Sequence, residues 1–234
     1  MYQFSIALET QDSPTYGISN WEVKDGFFGG SLGEMNPEQV EDARDLLIRK
    51  LSRVVLYTTD LPVAAYAAYV RFFRNAHLLG IVNVCLSRAA LSGATDEQIR
   101  KVLAIGESFS IGVLFCLEAE SMEEFGFERY AALRSENTGL VFSPNAFLRA
   151  GIRPYGEILT KTKFAPDIRF LRVEDLQQEP QKPVKLLRGN CELKEYTSKL
   201  LTRTYNGWFA FAPYGSGEPL ETVIRDFAEL LCAM

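Results

Sequence analysis

The strongest constraint on the fold of this chain is the alternation of short apolar strand patterns with helical periodicity along its 234 residues. Runs such as Val54–Tyr57 are continuously apolar, which is typical of strands that are covered on both faces. Strands that alternate with helices are joined by crossovers and therefore pair in parallel. The predicted strands are Gln3–Leu8, Ile18–Lys24, Arg53–Thr59, Ile81–Ser87, Ile111–Glu118, Gly139–Ser143, Ile168–Glu174 and Trp208–Ala212.

Eight strands in this order predict an α/β protein with a (β/α)8 barrel, built as one domain over residues 1–234. No Gly-x-Gly-x-x-Gly follows the first strand, which disfavours a dinucleotide-binding sheet. Capping signals at Asn36–Gln39 and Thr95–Gln98 predict two helix starts. The first two strands are about ten residues apart, too few for a crossover helix, so we expect the first helix to be missing or reduced to a loop.

Composition and charge narrow the classes of partner. The net charge of −5 disfavours nucleic acid, which would require a clustered basic surface. We find no signal peptide and no apolar run of about 18 residues, so we expect a cytoplasmic protein without a membrane partner. The four cysteines are widely spaced and lack a CxxC pair, which fits reduced core thiols.

Five strand-end segments carry a family pattern. They are Tyr16–Glu22, Cys116–Glu118, Gly139–Ala146, Ile168–Asp175 and Asn206–Pro213. In this order they resemble the second, fifth, sixth, seventh and eighth strands of the xylose-isomerase-like barrels, the sugar phosphate isomerase/epimerase family. The resemblance implies a (β/α)8 barrel that acts on or binds a sugar, polyol or related keto compound, with or without a phosphate group, at its C-terminal mouth.

The same resemblance implies one divalent ion, Mn2+ or Mg2+, held by two glutamates, an aspartate and a histidine. Glu118 matches the fifth-strand glutamate. Ser143 stands where the family has the aspartate, Arg172 where it has the histidine, and Pro213 where it has the last glutamate. Ala146 also replaces a neighbouring histidine. These replacements disfavour the family's metal, and we therefore predict no cofactor.

The alternation of side chains along a strand gives Arg172 a specific role. Phe170, Arg172 and Glu174 share one face of the seventh strand, and Glu118 ends the fifth strand. We expect the guanidinium of Arg172 to replace the charge of the ion and to pair with Glu118. A structural ion pair that fills a disused pocket is the alternative interpretation, and the sequence leaves both open.

Further candidates follow other strands. Glu22 is a second candidate for a catalytic base, beside Glu118 and Arg172. The residues predicted to bind substrate are Trp21, Lys24, Arg88, Ser143, Glu174, Lys185, Ser216 and Gly217. For the charged members the alternative is a solvated surface, for Trp21 a core position, and for Ser216 and Gly217 a flexible turn instead of a phosphate site. The single histidine, His77, lies in a helical run and is expected to be an ordinary helix residue.

Three functions remain open from the sequence. An isomerase or epimerase would use Glu118 or Glu22 as the base and Arg172 to stabilise the developing oxyanion. A non-catalytic barrel would bind a small ligand or serve in assembly, so whether the chain is an enzyme is left open. A metal-dependent hydrolase is disfavoured because it would need several histidines. We also expect a homodimer through the wall that lacks the first helix.

Overall fold

The computed structural model describes residues 2–117, 126–160 and 164–234. Within these ranges the barrel strands are β1 Gln3–Ala7, β2 Asn20–Lys24, β3 Arg53–Thr59, β4 Asn83–Leu86, β5 Gly112–Leu117, β6 Thr138–Phe142, β7 Ile168–Arg172 and β10 Trp208–Phe211. Two short strands, β8 Leu176–Gln177 and β9 Lys182–Pro183, form an antiparallel hairpin.

The barrel strands close in the order β1-β10-β7-β6-β5-β4-β3-β2. Neighbouring strands pair in parallel, as between Tyr57 and Val84 of β3 and β4. The predicted (β/α)8 fold is therefore confirmed, and each predicted strand is present with its ends shifted by at most two residues.

Helices follow most of the strands. They are α1 Pro37–Arg49, α2 Tyr69–Leu78, α3 Arg88–Leu91, α4 Asp96–Ser108, α5 Phe127–Leu133, α6 Pro144–Arg149, α7 Leu193–Leu201 and α8 Leu220–Cys232. Both predicted capping boxes are present. Asn36 Oδ1 accepts a hydrogen bond from Gln39 N at 2.9 Å, and Asn36 N donates to Gln39 Oε1 at 2.8 Å. Thr95 and Gln98 form the same pair of bonds. In the part of the chain that the structure describes, no helix is long and apolar enough to cross a bilayer.

The connection between β1 and β2 contains no helix, as the sequence predicts. Residues 8–19 form turns, and Tyr16 and Gly17 take positive φ angles of 50° and 79°. Ile18 is buried by this turn, with its N–H bonded to Thr15 O, and the strand begins only at Asn20. Dimerisation through this wall stays a prediction, which sedimentation would check.

The described residues divide into two compact units. An N-terminal unit contains residues 5–116 and 126–139, and a C-terminal unit contains residues 2–4, 117, 140–160 and 164–234. The organisation of residues 1–234 as one domain stays a prediction.

Asp25 fastens the carboxyl ends of β2 and β3 in the N-terminal unit. Its carboxylate accepts hydrogen bonds from Tyr57 Oη at 2.9 Å, Thr59 Oγ1 at 2.8 Å and Asp60 N at 2.7 Å. Burial, and then the charge of Asp25, raises the pKa of Tyr57 well above its usual value. Tyr57 therefore remains a neutral donor to the carboxylate. Its ring meets that of Phe72 in α2 at 5.7 Å, so this cluster lies between strand and helix.

Aromatic contacts identify the two faces of the sheet in the C-terminal unit. Phe209 and Phe211 pack on Phe227 of α8, with ring centroids 5.0 and 5.9 Å apart. Since strand residues alternate between faces, Ala210 lies on the face opposite the helix. On β6, Phe142 stacks on Phe147 of α6 at 5.2 Å, which makes it a helix-facing residue as well.

Candidate functional site

Arg172 lies on the face of the sheet opposite the helices, at the carboxyl end of β7. Ala210 of β10 is on that face, and it pairs with Arg172 in the parallel register. Neighbouring residues in register share a face, so the half-buried Arg172 has the orientation that the sequence predicts. The carboxyl ends of barrel strands are where such folds bind ligands.

Glu118, the predicted partner of Arg172, lies outside the described residues. Its pairing with the guanidinium therefore stays a prediction. The strand that leads to it, β5, runs from Gly112 to Leu117, and its residue Cys116 is half-buried.

The structure brings together two predicted substrate-binding residues, Ser143 and Glu174. Ser143 Oγ donates a hydrogen bond to Glu174 Oε1 at 2.5 Å, and Asn145 N donates to the same oxygen at 3.2 Å. Ser143 is also the N-cap of α6, and its Oγ accepts a bond from Ala146 N at 3.4 Å. The first turn of α6 therefore neutralises part of the charge of the Glu174 carboxylate.

Asp175, which the sequence did not single out as a site residue, anchors the loop before α7. It is 2% exposed and accepts hydrogen bonds from the amides of Leu176 at 2.9 Å, Gly189 at 2.8 Å and Cys191 at 3.2 Å. An added Cβ on Gly189 would lie 2.5 Å from Leu176 O and closer still to Asp175 Oδ1, so only glycine fits there. In the sequence, the only sign of this anchor is a carboxylate followed by a loop that contains a glycine. Such a pattern does not specify which backbone amides the carboxylate binds.

Cys191 connects this loop to the Glu174 cluster. Its Sγ donates to Asn145 Oδ1 at 2.9 Å, and Asn145 N in turn donates to Glu174. Burial, followed by the charge of Asp175, raises the pKa of the Cys191 thiol well above its usual value. The thiol is therefore a protonated hydrogen-bond donor, which excludes it as a thiolate nucleophile.

The loop after β10 carries its own carboxylate. Gly215 and Gly217 take φ angles of 79° and 80°, and Ser216 Oγ accepts a hydrogen bond from Glu218 N at 3.3 Å. Lys185 Nζ lies 2.9 Å from Glu218 Oε1, whose side chain is 9% exposed. Two of the predicted ligand contacts, Lys185 and Ser216, are thus engaged with Glu218, and this negative charge disfavours a phosphate in the loop.

Tyr214, which precedes Gly215 in this loop, is a neutral hydrogen-bond donor. Tyr214 Oη donates to Val184 O at 2.9 Å. Burial raises the pKa of Tyr214 to about 12, against a smaller lowering by its hydrogen bond with Ser216. The neutral phenol ties the Val184 segment to the loop after β10.

Glu22 is buried in the N-terminal unit, with 4% of its surface exposed. Ser5 Oγ of β1 donates to Glu22 Oε1 at 2.6 Å. The role of Glu22 as a base stays a prediction. Lys24, at the end of β2, and Arg88, at the start of α3, are exposed.

Trp21 is a core residue, which corrects the prediction that it binds substrate. It is 1% exposed and meets Phe27 edge-to-face at 6.1 Å. A sugar cannot stack on a ring that has no accessible face. Adjacent strand residues point to opposite faces, so the sequence itself indicates that Trp21 and Glu22 cannot both face a ligand.

The described residues do not fit a divalent ion at the positions that the resemblance marks. Ser143 already donates to Glu174, Arg172 has only donors, and Pro213 has no side-chain donor atom. Within the described ranges, no group of three or more His, Cys, Asp or Glu residues is arranged to hold a metal. His77 lies in α2 with Nδ1 3.2 Å from Phe109 O, which confirms it as an ordinary helix residue.

No protein-family model and no curated protein matches the sequence. Solved structures do match its fold. A xylose isomerase-like TIM barrel protein from Mycobacterium smegmatis, in complex with magnesium, has a TM-score of 0.75 at 12% identity, over 99% of this chain and 96% of that one. A xylose isomerase domain protein from Planctomyces limnophilus has a TM-score of 0.73 at 13% identity, with the same coverage.

A D-psicose 3-epimerase from Clostridium cellulolyticum H10, solved with D-tagatose, is a more distant match. Its TM-score is 0.62 at 10% identity, over 97% of this chain and 91% of that one. These comparisons confirm that the chain has the fold of the xylose-isomerase-like barrels.

Proposed function

We propose that the chain binds an unphosphorylated sugar, polyol or related keto compound at the carboxyl ends of β6 and β7, and that it isomerises or epimerises those ligands that carry a carbonyl group, without a divalent ion. The observation that carries the proposal is Arg172 on the face opposite the helices, followed by Glu174, whose carboxylate is held by Ser143. A guanidinium and a fixed carboxylate together bind adjacent hydroxyl and carbonyl oxygens through directional hydrogen bonds.

The proposed chemistry is proton transfer next to a carbonyl group. This reaction needs a base and a group that stabilises the oxyanion of the enolate. Arg172 is the proposed stabiliser, because its charge is permanent and its donors form a planar fork. Glu118 is the proposed base, on the strength of its place in the sequence. Glu174 and Ser143 would orient the substrate hydroxyls.

The preference for an unphosphorylated compound rests on Glu218. Its carboxylate pairs with Lys185 at 2.9 Å in the segment where barrels often bind phosphate. A phosphate there would meet a like charge and compete with an existing ion pair. Neutral hydroxyls carry no such cost.

A second candidate function is a binding module without catalysis. Glu174 already accepts hydrogen bonds from the Ser143 hydroxyl and the Asn145 amide, which is typical of a structural anchor. In this interpretation Arg172 and Glu174 contribute recognition, and no proton is transferred.

The experiment that tests the proposal is solvent exchange. Purified protein is incubated in deuterated buffer with a panel of ketohexoses and ketose phosphates, and proton NMR follows deuterium uptake next to the carbonyl. Polyols, which have no carbonyl, are tested for binding alone. We expect uptake with a neutral ketose, and a fall of about 100-fold in its rate in Arg172→Gln. Arg188→Gln is the matched control, since Arg188 is an exposed arginine of the same unit. Metal analysis is run on the same sample.

Binding without uptake for every neutral compound would favour the binding module. Equal rates in native protein and Arg172→Gln would reject the site. Stoichiometric metal that is lost in Glu118→Gln would reject the metal-free proposal.

A further inference from the structure

A cavity lies in the N-terminal unit, between helices α1 and α2. Its volume is 420 Å3, within the range of small-molecule sites. Val40 of α1 and Met35, which precedes that helix, are buried and form an apolar floor, and the half-exposed Leu78 of α2 lies on the rim. The cavity belongs to the helical layer and is independent of the function proposed above for the C-terminal unit.

Three arginines line this groove against a single carboxylate. Arg44 comes from α1, and Arg71 and Arg74 come from α2, whereas Glu41 is the acidic residue. Arg44 Nη1 is 4.0 Å from Glu41 Oε2, a weak pair between exposed side chains. In the described ranges, neither Arg71 nor Arg74 forms an ion pair with a carboxylate. The groove is therefore positive in a chain whose net charge is −5.

The groove is held in place by hydrogen bonds from two of its lining residues. Arg71 Nη2 donates to Met35 O at 2.7 Å and to Glu34 O at 3.1 Å. Asn75, which is 7% exposed and lines the groove, donates from Nδ2 to Leu32 O at 2.7 Å and to Met35 O at 3.2 Å. These bonds join α2 to the segment that enters the capping box of α1. The guanidinium of Arg71 is thus preorganised, which lowers the entropic cost of binding at this part of the wall.

We propose that this groove is a binding site for a small organic anion with an apolar body. The arginine forks suit a carboxylate, sulfonate or phosphate group, since planar guanidinium donors match such oxygens in pairs. The floor of Met35 and Val40 suits the apolar part of the same molecule. Charge and apolar surface lie side by side here, so a ligand with both features gains more than one with either alone.

Fluorescence titration with 8-anilinonaphthalene-1-sulfonate tests the proposal. This probe joins an aromatic body to one sulfonate, and N-phenyl-1-naphthylamine is nearly the same molecule without the charge. We expect one saturable site for the sulfonate on the native protein. The double variant Arg44→Gln/Arg74→Gln should lower its affinity by about tenfold, the value of a charge-assisted hydrogen bond.

The matched control is Arg100→Gln on α4, which removes an exposed arginine that does not line the groove. It should leave the affinity for the sulfonate unchanged. Affinity for the neutral probe should change less than twofold in every variant, and thermal unfolding verifies that each variant is folded.

Unchanged sulfonate affinity in the double variant overturns the proposal. An equal loss in Arg100→Gln does so as well, because it would indicate a general effect of surface charge. A parallel loss of the neutral probe would show that the arginines do not recognise an anion.

Discussion

Gly189→Ala should destabilise the protein strongly, because the added methyl group collides with the anchor of the loop before α7. The new Cβ would lie 2.5 Å from Leu176 O and closer still to Asp175 Oδ1. Both residues are buried, so neither oxygen can move away easily. The loop must move away from Asp175, which breaks the bonds that its carboxylate accepts from the amides of Gly189 and Cys191.

The magnitude of this effect follows from two contributions. Overpacking a buried position costs about 1–3 kcal/mol. Each lost amide bond to a charged acceptor costs about 1.5 kcal/mol. We expect the free energy of unfolding to fall by about 4–6 kcal/mol. For a chain of this size the melting temperature should fall by about 8–24 °C.

Urea unfolding followed by circular dichroism measures the change. Gly156→Ala is the matched control, since a Cβ at Gly156 would have no neighbour within 4 Å, and its free energy of unfolding should stay within about 0.5 kcal/mol of native. If Gly189→Ala is as stable as this control, the Asp175 carboxylate does not anchor the loop. Its bond to the Cys191 amide would then not be what positions the Cys191 thiol against Asn145.

Three further predictions concern single groups. Ser143→Ala removes both the cap of α6 and a hydrogen bond to Glu174, so urea unfolding should report a loss of about 1–2 kcal/mol, with Ser143→Thr largely restoring it. Cys191 should stay unreactive towards a disulfide reagent at pH 8 until the protein unfolds, whereas the exposed Cys232 should react at once. Reaction of Cys191 as early as that of Cys232 would contradict its buried hydrogen bond. The raised pKa of Tyr214, about 12, means that the folded protein holds a proton that the unfolded chain releases near pH 10, so stability from this group is complete below about pH 10 and is lost as pH rises to 12. Tyr214→Phe should flatten this loss in melting curves between pH 9 and 11, and an unchanged slope would count against the burial of the phenol.

Much of the fold follows from local sequence signals. The continuous apolar run Val54–Tyr57 predicts a doubly covered strand because a parallel sheet has helices on one face and a packed interior on the other. The capping box at Asn36 contains both of its partners within four residues, so it needs no tertiary information. The missing first helix follows from chain length alone, since residues 8–19 cannot form a helix and two turns.

The contacts of the candidate site could not be read in the same way. Lys185 looks like a charge available to a ligand, but its partner Glu218 is 33 residues away in the sequence and reaches it only in the folded chain. Likewise, Glu174 is 31 residues from Ser143. Which residue pairs with which depends on the course that the loops take. Loop sequences have no hydrophobic periodicity from which this course could be predicted. The face on which a strand side chain lies is easier to predict. For Arg172 it follows directly from the alternation of side chains along β7.

The two carboxylates after β7 are held by different elements of the C-terminal unit. Glu174 accepts from the first turn of α6, whereas Asp175 accepts from the loop before α7. The buried Val173, which precedes both carboxylates, donates its N–H to Ala210 O at 2.9 Å. In a metal-binding barrel an ion neutralises the carboxylates at the strand ends. Here backbone amides and a serine hydroxyl donate hydrogen bonds to the two carboxylates, which stabilises their negative charge. In the proposed chemistry Arg172 stabilises the oxyanion, so its removal is the sharpest test of that proposal.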